Sequence, residues 1–320
     1  MNKKRKMIIQ GNNISEVLEL DLGGYNQKVL IEGKSNDLPV VISLHGGPGM
    51  PIPFCVGGRG LFPEFTERCI LVSWDQYGCG INNAKLPEDI SINSFKDMTV
   101  DLIRAMKSRF PDNKLILLAM SWGSVLSALA ISEVYELTDG VIAYGQVLCE
   151  LMQNKETIDA LMKSKAPEKL KAEINDAVES KEFNPKTAMK LSNALRKYTD
   201  GYVDKNEPKA DMKGMIKGIM TSPDYRFKDF MAMVMNGYRK NTSLIKELSV
   251  LDLRDVLKKV KVPYHIIQGK SDIVTCTNMI KKFVDSAENE NLTCKVIPDS
   301  AHIPGMNGMN AVLEEIINLK

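Results

Sequence analysis

A serine interrupts a continuous apolar run in the segment LLAMSWGSVL at residues 117–126. The preceding residues, KLILLAM, predict a buried β-strand, and the apolar spacing after Ser121 predicts a helix. A sharp turn from strand to helix would hold the Ser121 hydroxyl clear of the sheet, beside the partly positive helix N-terminus. Because this setting suits an attacking oxygen and the oxyanion it creates, the chemistry indicated is nucleophilic catalysis by serine.

The pentapeptide AMSWG matches the nucleophile elbow, G-x-S-x-G, except at its first position. Ala119 replaces the first glycine, and Gly123 keeps the second. Both positions must be small because strand and helix crowd the turn. The alternative is an ordinary helix cap, in which the Ser121 side chain accepts from backbone N–H groups. The strand–turn–helix context favours the elbow.

A serine hydroxyl requires a base, and the base requires an orienting acid. Among the three histidines, His302 in PDSAHIPG is the predicted base. It follows the last apolar strand, and active sites of open parallel sheets gather at the carboxyl ends of strands. His45 belongs to a glycine loop, and His265 lies within a predicted strand. The alternative for His302 is an ordinary surface position in a loop.

Asp272 in IIQGKSDIVT is the predicted acid, because it follows an earlier strand at the same edge. The alternative is an aspartate that caps a helix in the GKSD turn. The chain order Ser121, Asp272, His302 is the order of nucleophile, acid and base that accompanies this elbow, and it favours the catalytic interpretation.

A glycine-rich loop, LHGGPG, follows an earlier predicted strand. Glycines allow backbone N–H groups to approach a ligand closely. Together with the N–H of Trp122, a donor from this loop would complete an oxyanion hole. The alternative is a tight turn that needs positive φ, and the two interpretations are compatible.

Apolar strands alternate with helices in residues 1–149 and again in residues 246–320. This alternation predicts an α/β fold, with a mostly parallel central sheet covered by helices on both faces. The segment VLELDLGGYNQKVLIEG predicts an antiparallel hairpin. Residues 150–245 are rich in lysine and glutamate, with helical periodicity and no buried-strand pattern, and we predict an inserted helical cap there.

Composition argues against several classes of protein. The 42 basic and 40 acidic residues leave a formal charge of +2, which favours neither nucleic acid nor an acidic membrane as a partner. No segment approaches the roughly 18 apolar residues of a membrane span. The basic start, MNKKRKMIIQGNN, lacks the apolar stretch of a secretory signal, and we predict a solvated tail. The six cysteines are scattered, as is typical of reduced cytoplasmic proteins. We expect a cytoplasmic protein without metal or cofactor.

The motifs HGGPG, DQYGCG and SWGS occur in this order, followed by GKSD and SAH. Together they resemble the proline iminopeptidase branch of the α/β hydrolases, over roughly residues 25–150 and 245–320. Two motifs depart from the usual pattern. Tyr77 replaces the arginine of DQRG, and Ala119 and Met120 replace both glycines of GGSWG.

The resemblance implies an α/β-hydrolase fold with an inserted cap. It implies that Ser121, Asp272 and His302 form a catalytic triad. It also implies that the N–H groups of Gly47 and Trp122 line the oxyanion hole. The expected activity is that of a serine aminopeptidase, which forms an acyl-enzyme and releases N-terminal residues from short peptides.

Substrate contacts are much less defined. Such an aminopeptidase holds a free ammonium group with carboxylates, and no spacing singles out one of the candidates Glu150, Glu156, Glu168 and Glu207. Two alternatives therefore remain. One is a small-molecule carboxylesterase or lactonase with the same triad, and the other is a non-catalytic binding protein on a hydrolase scaffold.

Five further positions are candidates for the substrate pocket or the cap. Gly46 and Gln146 are predicted, on weak grounds, to contact substrate. Met231, Met233 and Met235 would form either an adaptable apolar pocket wall or, as such stripes more often do, the core of the cap.

Overall fold

A computed structural model describes residues 2–51, 54, 57–180, 185–206, 217–235, 238 and 241–319. Eight strands form a single sheet in the order β1-β2-β4-β3-β5-β6-β7-β8. The strands are β1 (Ile14–Leu22), β2 (Tyr25–Gly33), β3 (Val40–Leu44), β4 (Ile70–Trp74), β5 (Leu115–Met120), β6 (Gly140–Tyr144), β7 (Tyr264–Gly269) and β8 (Leu292–Ile297).

The sheet is mostly parallel, as predicted. The predicted hairpin is present, with β1 and β2 antiparallel over their whole length from Ile14 opposite Gly33 to Leu22 opposite Tyr25. β2 is antiparallel to β4, and every later pairing in the sheet is parallel. The carboxyl ends of β3, β5, β6 and β7 therefore point the same way and meet at one edge.

Helices connect the strands. They are α1 (Lys3–Gly11), α2 (Pro63–Thr66), α3 (Ile92–Arg109), α4 (Trp122–Val134), α5 (Lys155–Lys163), α6 (Glu168–Glu179), α7 (Pro185–Tyr198), α8 (Phe227–Met235), α9 (Thr242–Leu248), α10 (Arg254–Leu257), α11 (Thr277–Ser286) and α12 (Met306–Asn318). None of them is long and apolar enough to cross a membrane, within the described residues.

Both faces of the sheet are buried, which explains why its central strands are apolar throughout. In β5, Leu117 and Ala119 face one core, together with apolar residues of α3 and α4. The alternate residues Ile116 and Leu118 face a second core, which includes residues of α2 and α12. The fully apolar sequence of β5 is therefore required by two hydrophobic layers at once.

The sequence pattern also predicts the start of α3. Ser91 caps this helix, because its side chain accepts from the N–H of Ser94 at 3.0 Å. The Ser94 hydroxyl lies 3.2 Å from the N–H of Ser91, which it accepts in return. This reciprocal pair satisfies two N–H groups that a helix start otherwise leaves without partners.

The segment between β6 and β7 has its own small apolar cluster. Ile158 of α5, Ile174 of α6, and Leu191 and Leu195 of α7 are buried against one another. The described part of residues 150–245 is helical, with connecting turns and no strand. Its separation from the core at residues 150 and 245 stays a prediction.

The N-terminus differs from the solvated tail predicted above. Residues Lys3–Gly11 form α1, and its Arg5 side chain is only 2% exposed. The Arg5 guanidinium donates to the carbonyls of Arg59 and Gly218 at 2.6 Å each, and also to that of Gly57. The prediction was wrong because the acceptors that bury this cation lie far away in the sequence.

Candidate active site

Ser121 lies in the turn between β5 and α4 and has φ 48° and ψ −114°. A positive φ is strained in a non-glycine residue and is typical of functional turns. Two contacts hold it there. Its N–H donates to the carbonyl of Tyr144 at 2.9 Å, and its carbonyl accepts from the N–H of Ser124 at 2.8 Å. Its own side chain makes no capping bond, so the helix-cap alternative does not describe this serine.

The small size of Gly123, two residues after Ser121, is a steric requirement. A Cβ added at Gly123 would lie 2.0 Å from the carbonyl oxygen of Leu44, the last residue of β3. An added Cβ at Gly46 would lie 3.3 Å from the Ser121 Cβ, so the glycine loop also packs closely against the serine. The elbow therefore requires glycine at position 123, which is the second glycine of the motif.

The predicted base and acid meet Ser121 in one hydrogen-bonded chain. Nε2 of His302 lies 2.9 Å from Oγ of Ser121. Nδ1 of His302 lies 2.9 Å from Oδ2 of Asp272. Asp272 is 2% exposed and His302 9% exposed, so water is largely excluded from these contacts. This is the geometry in which an imidazole can take the serine proton while a carboxylate orients it.

The Asp272 carboxylate is fixed on both oxygens. Oδ1 accepts from the backbone N–H groups of Val274 and Thr275, at 2.8 and 3.0 Å. Oδ2 accepts from the Thr275 hydroxyl at 2.7 Å, in addition to His302. Because these partners hold both oxygens, they determine which face the carboxyl group presents to the imidazole.

The loop that carries His302 is positioned from two sides. The Tyr144 hydroxyl donates to the carbonyl of Ala301 at 2.8 Å, on the core side. From the segment between β6 and β7, the carbonyl of Gly201 accepts from the N–H of His302 at 3.1 Å, and that of Tyr202 accepts from the N–H of Ile303 at 2.9 Å. The core and this segment together therefore determine where the imidazole lies.

The two predicted oxyanion donors adjoin Ser121. Neither the N–H of Gly47 nor that of Trp122 donates to an acceptor in the described chain. Trp122 is the first residue of α4, where helix N–H groups have no intrahelical partner. Their role as oxyanion donors stays a prediction, to which this lack of described partners is no obstacle.

Gln76, which the sequence analysis did not single out, connects the segments that carry the two predicted oxyanion donors. Its side-chain oxygen accepts from the Trp122 indole N–H at 2.8 Å, and its side-chain nitrogen donates to the His45 carbonyl at 3.2 Å. Its backbone N–H donates to Nε2 of His45 at 3.0 Å. The signal that could have identified it is its place in DQYGCG, directly after β4 at the carboxyl edge of the sheet.

His45 is a structural histidine in this arrangement. It is 1% exposed, and burial lowers the pKa of its imidazole to about 4. Since Nε2 accepts from Gln76, Nδ1 carries the proton and donates to the carbonyl of Gly46 at 2.9 Å. His45 is therefore neutral and holds the glycine loop in position.

We predict that replacing Gln76 with methionine lowers kcat by about tenfold with little change in KM. The shape is nearly kept, but the bonds that fix the spacing of the two oxyanion donors are lost, and misplaced donors stabilise the transition state less. Steady-state kinetics on an activated ester would measure this. A purely structural role for Gln76 would instead lower the melting temperature and leave kcat of the folded protein unchanged.

A cavity of about 390 Å³ opens above Ser121 and His302. Most of its described lining is apolar, including Met50, Met120 and Met189. Residues from the glycine loop, the ends of β5 and β6, and helices α7 and α9 all contribute to its walls. A substrate would therefore be enclosed between the sheet edge and the segment predicted as a cap.

Glu150 is the one acidic residue among the described residues that line this cavity. It caps the short 3₁₀ helix Leu151–Gln153, and its Oε2 accepts from the N–H of Met152 at 2.6 Å. Burial raises the pKa of its carboxyl group to about 7, although backbone donors oppose the shift. The sequence could not single it out, because the cavity is formed by segments that are distant in the chain.

The other candidate glutamates lie elsewhere or outside the described residues. Glu156 is bonded to Asn278 at 2.8 Å, and exposed Glu168 pairs with Lys171 at 2.9 Å. Glu207 is outside the described residues.

Two weaker predictions have different outcomes. Gly46 lines the cavity, and its contact with substrate stays a prediction. Gln146 is fully buried, and its side-chain oxygen accepts from the Tyr264 hydroxyl at 2.7 Å. The prediction that Gln146 contacts substrate was therefore wrong, because its side chain turns into the core to satisfy a buried phenol.

The methionine stripe of the cap can be assessed only at its first position. Met231 is partly buried and is not among the described residues of the cavity wall. The side chains of Met233 and Met235 lie outside the described residues.

Several known proteins are similar to this chain in sequence or in fold. No protein-family model matches the chain. A protein named "Probable aminopeptidase YbaC" from Bacillus subtilis (strain 168) is 24% identical over 306 residues, which cover 93% of this chain and 94% of the relative. A proline iminopeptidase from Lactobacillus helveticus is 24% identical over 260 residues, covering 81% and 82% of the two chains.

A solved structure of a proline iminopeptidase from Mycobacterium smegmatis superposes with a TM-score of 0.62. It is 17% identical in sequence, and the match covers 95% of this chain and 97% of that one. With its eight-stranded, mostly parallel sheet, the chain has the α/β-hydrolase fold.

Proposed function

We propose that this protein is a serine hydrolase that forms an acyl-enzyme and acts as an aminopeptidase on short peptides. The observation that carries the proposal is the bonded chain from Asp272 through His302 to Ser121, at the floor of an enclosed cavity. The relatives named aminopeptidase and proline iminopeptidase support the same conclusion.

The proposed reaction uses the triad twice. Oγ of Ser121 attacks the carbonyl carbon as Nε2 of His302 takes its proton, and the N–H groups of Gly47 and Trp122 receive the oxyanion. His302 then gives the proton to the leaving amine, and the C–N bond breaks to leave an ester on Ser121. A water molecule, deprotonated by His302, attacks this ester and releases the acid as Ser121 regains its proton.

Glu150 is the proposed partner of the substrate ammonium group. It lines the cavity and is 9% exposed, so its charge is little screened by water. An ionised carboxylate in this setting would attract the free N-terminus and align the first residue over Ser121. Its hydrogen bond from Met152 fixes the direction of the carboxyl group.

This role predicts a specific pH dependence. The pKa of Glu150 is about 7, so its negative charge appears as the pH rises through 7. The kcat/KM for an aminoacyl arylamide, divided by that for the matched arylamide without the amino group, should rise from pH 6 to pH 7.5. It should fall again as the substrate amine, with a pKa of about 8, loses its proton. The ratio cancels any pH dependence that is common to both substrates.

Glu150→Gln should remove the acid limb of this ratio and lower its maximum by about tenfold, the effect of one charged hydrogen bond. Glu168→Gln changes an exposed glutamate outside the cavity and should leave the profile unchanged. An acid limb that persists in Glu150→Gln would contradict the proposed role of Glu150.

The apolar cavity wall also supports a second candidate, a carboxylesterase or lactonase with the same triad. The two are separated by assaying a panel of aminoacyl arylamides beside short-chain acyl esters, with Ser121→Ala as the blank. Turnover of esters alone would reject the aminopeptidase. A protein that neither labels with a fluorophosphonate at Ser121 nor turns over any substrate would be a binding protein on this scaffold.

A further inference from the structure

One arginine is among the described residues that line the same cavity. Arg196 lies near the end of α7 and is exposed at the cavity rim. Its guanidinium carbon lies 4.7 Å from the centre of the Tyr202 ring. No carboxylate of the described chain forms an ion pair with it, so its charge is not neutralised within that part of the protein.

Tyr202 connects this cation to the catalytic histidine. Its ring meets the His302 imidazole edge to face, with ring centres 5.6 Å apart. The Tyr202 hydroxyl is bonded to Oγ of Ser192 at 2.7 Å, and its carbonyl accepts from the N–H of Ile303 at 2.9 Å. The Arg196 guanidinium therefore packs against an aromatic ring that is held in place by its own hydrogen bonds and that also contacts His302.

The position of His302 indicates where in the cavity the leaving group of a substrate would lie. In acyl transfer, the base returns its proton to the leaving group, so the leaving group lies on the histidine side of the serine. The Tyr202–Arg196 stack is on that side. A guanidinium offers paired N–H donors that match a carboxylate.

The charges of the cavity fit a substrate that is charged at both ends. Among its described lining residues, Glu150 and Arg196 are the one carboxylate and the one guanidinium, and they do not pair with each other. In a dipeptide, the free carboxylate lies one residue beyond the scissile nitrogen, within about 3.5 Å of chain. In a long peptide, this carboxylate is far from the rim.

We propose that Arg196 forms a leaving-group subsite for a carboxylate, and that, given the proposed aminopeptidase function, the preferred substrates are dipeptides with a free C-terminus. The guanidinium binds the carboxylate of the departing amino acid while His302 protonates its nitrogen. This makes Arg196 a determinant of specificity on the exit side of the scissile bond, with Glu150 acting on the entry side.

The test compares substrates that differ only in this charge. kcat/KM is measured for a dipeptide and for its C-terminal amide, in the wild-type protein, Arg196→Gln and Lys197→Gln. The wild type should prefer the free acid by about tenfold, as expected for one charged hydrogen bond at a partly exposed site, and Arg196→Gln should lose this preference. Lys197 lies beside it over the Tyr198 ring, 5.0 Å from its centre, and its loss should leave the preference intact.

A second substrate pair separates this proposal from the proposed function. The acetyl esters of glycolate and glycolamide carry the same charge difference, one carbon beyond the scissile oxygen, on an alcohol leaving group. If the ester preference depends on Arg196 while no peptide is cleaved, the carboxylate subsite stands and the aminopeptidase function is rejected. Equal rates for acid and amide in both pairs, or a preference that survives in Arg196→Gln, would overturn the subsite.

Discussion

Replacing Ser121 with alanine is expected to lower kcat by about 10⁴-fold or more on every substrate that the protein hydrolyses. The alanine removes the oxygen that forms the covalent intermediate in the proposed mechanism, and removal of a triad member typically leaves only the contribution of binding and the oxyanion hole. His302→Ala should have a similar effect, because nucleophile and base act as one unit. The double variant should be little worse than either single one.

The measurements are turnover of an activated ester and labelling by a fluorophosphonate. Ser121→Ala should fold normally, because alanine meets the same strained φ of 48° that serine already accepts. Ser132, on the exposed surface of α4, is the matched control, and Ser132→Ala should retain labelling and turnover. A Ser121→Ala protein that still hydrolyses the ester at a comparable rate would mean that another residue is the nucleophile.

Replacing Asp272 with asparagine is expected to lower kcat by about 10³- to 10⁴-fold while the fold is kept. Asparagine has one acceptor oxygen and one NH₂ group, whereas all partners of Asp272 are donors. If the NH₂ group faces His302, the imidazole must take the tautomer with its proton on Nε2. That nitrogen faces Oγ of Ser121 and could then no longer accept the serine proton.

If the NH₂ group faces the other way, it meets the N–H groups of Val274 and Thr275, which lose their acceptor. That arrangement should cost about 1–3 kcal/mol of stability, the penalty for buried groups left without partners. The loss of kcat and the loss of melting temperature should therefore be measured together. Asp285→Asn, an exposed change on α11, is the control, and a rate in Asp272→Asn equal to that control would exclude Asp272 as the orienting acid.

The fold was predictable because its signals are local and repeated. Each central strand, such as β5, must satisfy two cores, so it is apolar at every position and stands out against the amphipathic helices. The three candidate triad residues were recognisable for a related reason. Each follows the carboxyl end of a strand, and the parallel sheet brings those ends to one edge.

The remaining features depend on contacts between distant segments, which no local pattern describes. Arg5 is in a basic stretch that is typical of a tail, yet carbonyls near residues 57–59 and 218 bury it. Gln146 lies two residues after the end of β6, but its side chain is bonded to the buried Tyr264 hydroxyl. Among the described charged residues of 150–245, Glu150 and Arg196 are distinguished by lining the cavity, which is a property of the folded protein.

The N–H groups of His302 and Ile303 donate to the carbonyls of Gly201 and Tyr202. These bonds couple the position of residues 201–202 to that of the loop that carries His302. Any lifting of residues 201–202 must break them and release the loop that carries the base. A bulky molecule that forces this segment outward on entry would therefore also move His302, and Ser121 would lose its proposed base. The protein would then select substrates by size in two ways, because a large molecule would both fit the cavity poorly and make Ser121 unreactive. Only a substrate that fits beneath residues 201–202 would be turned over.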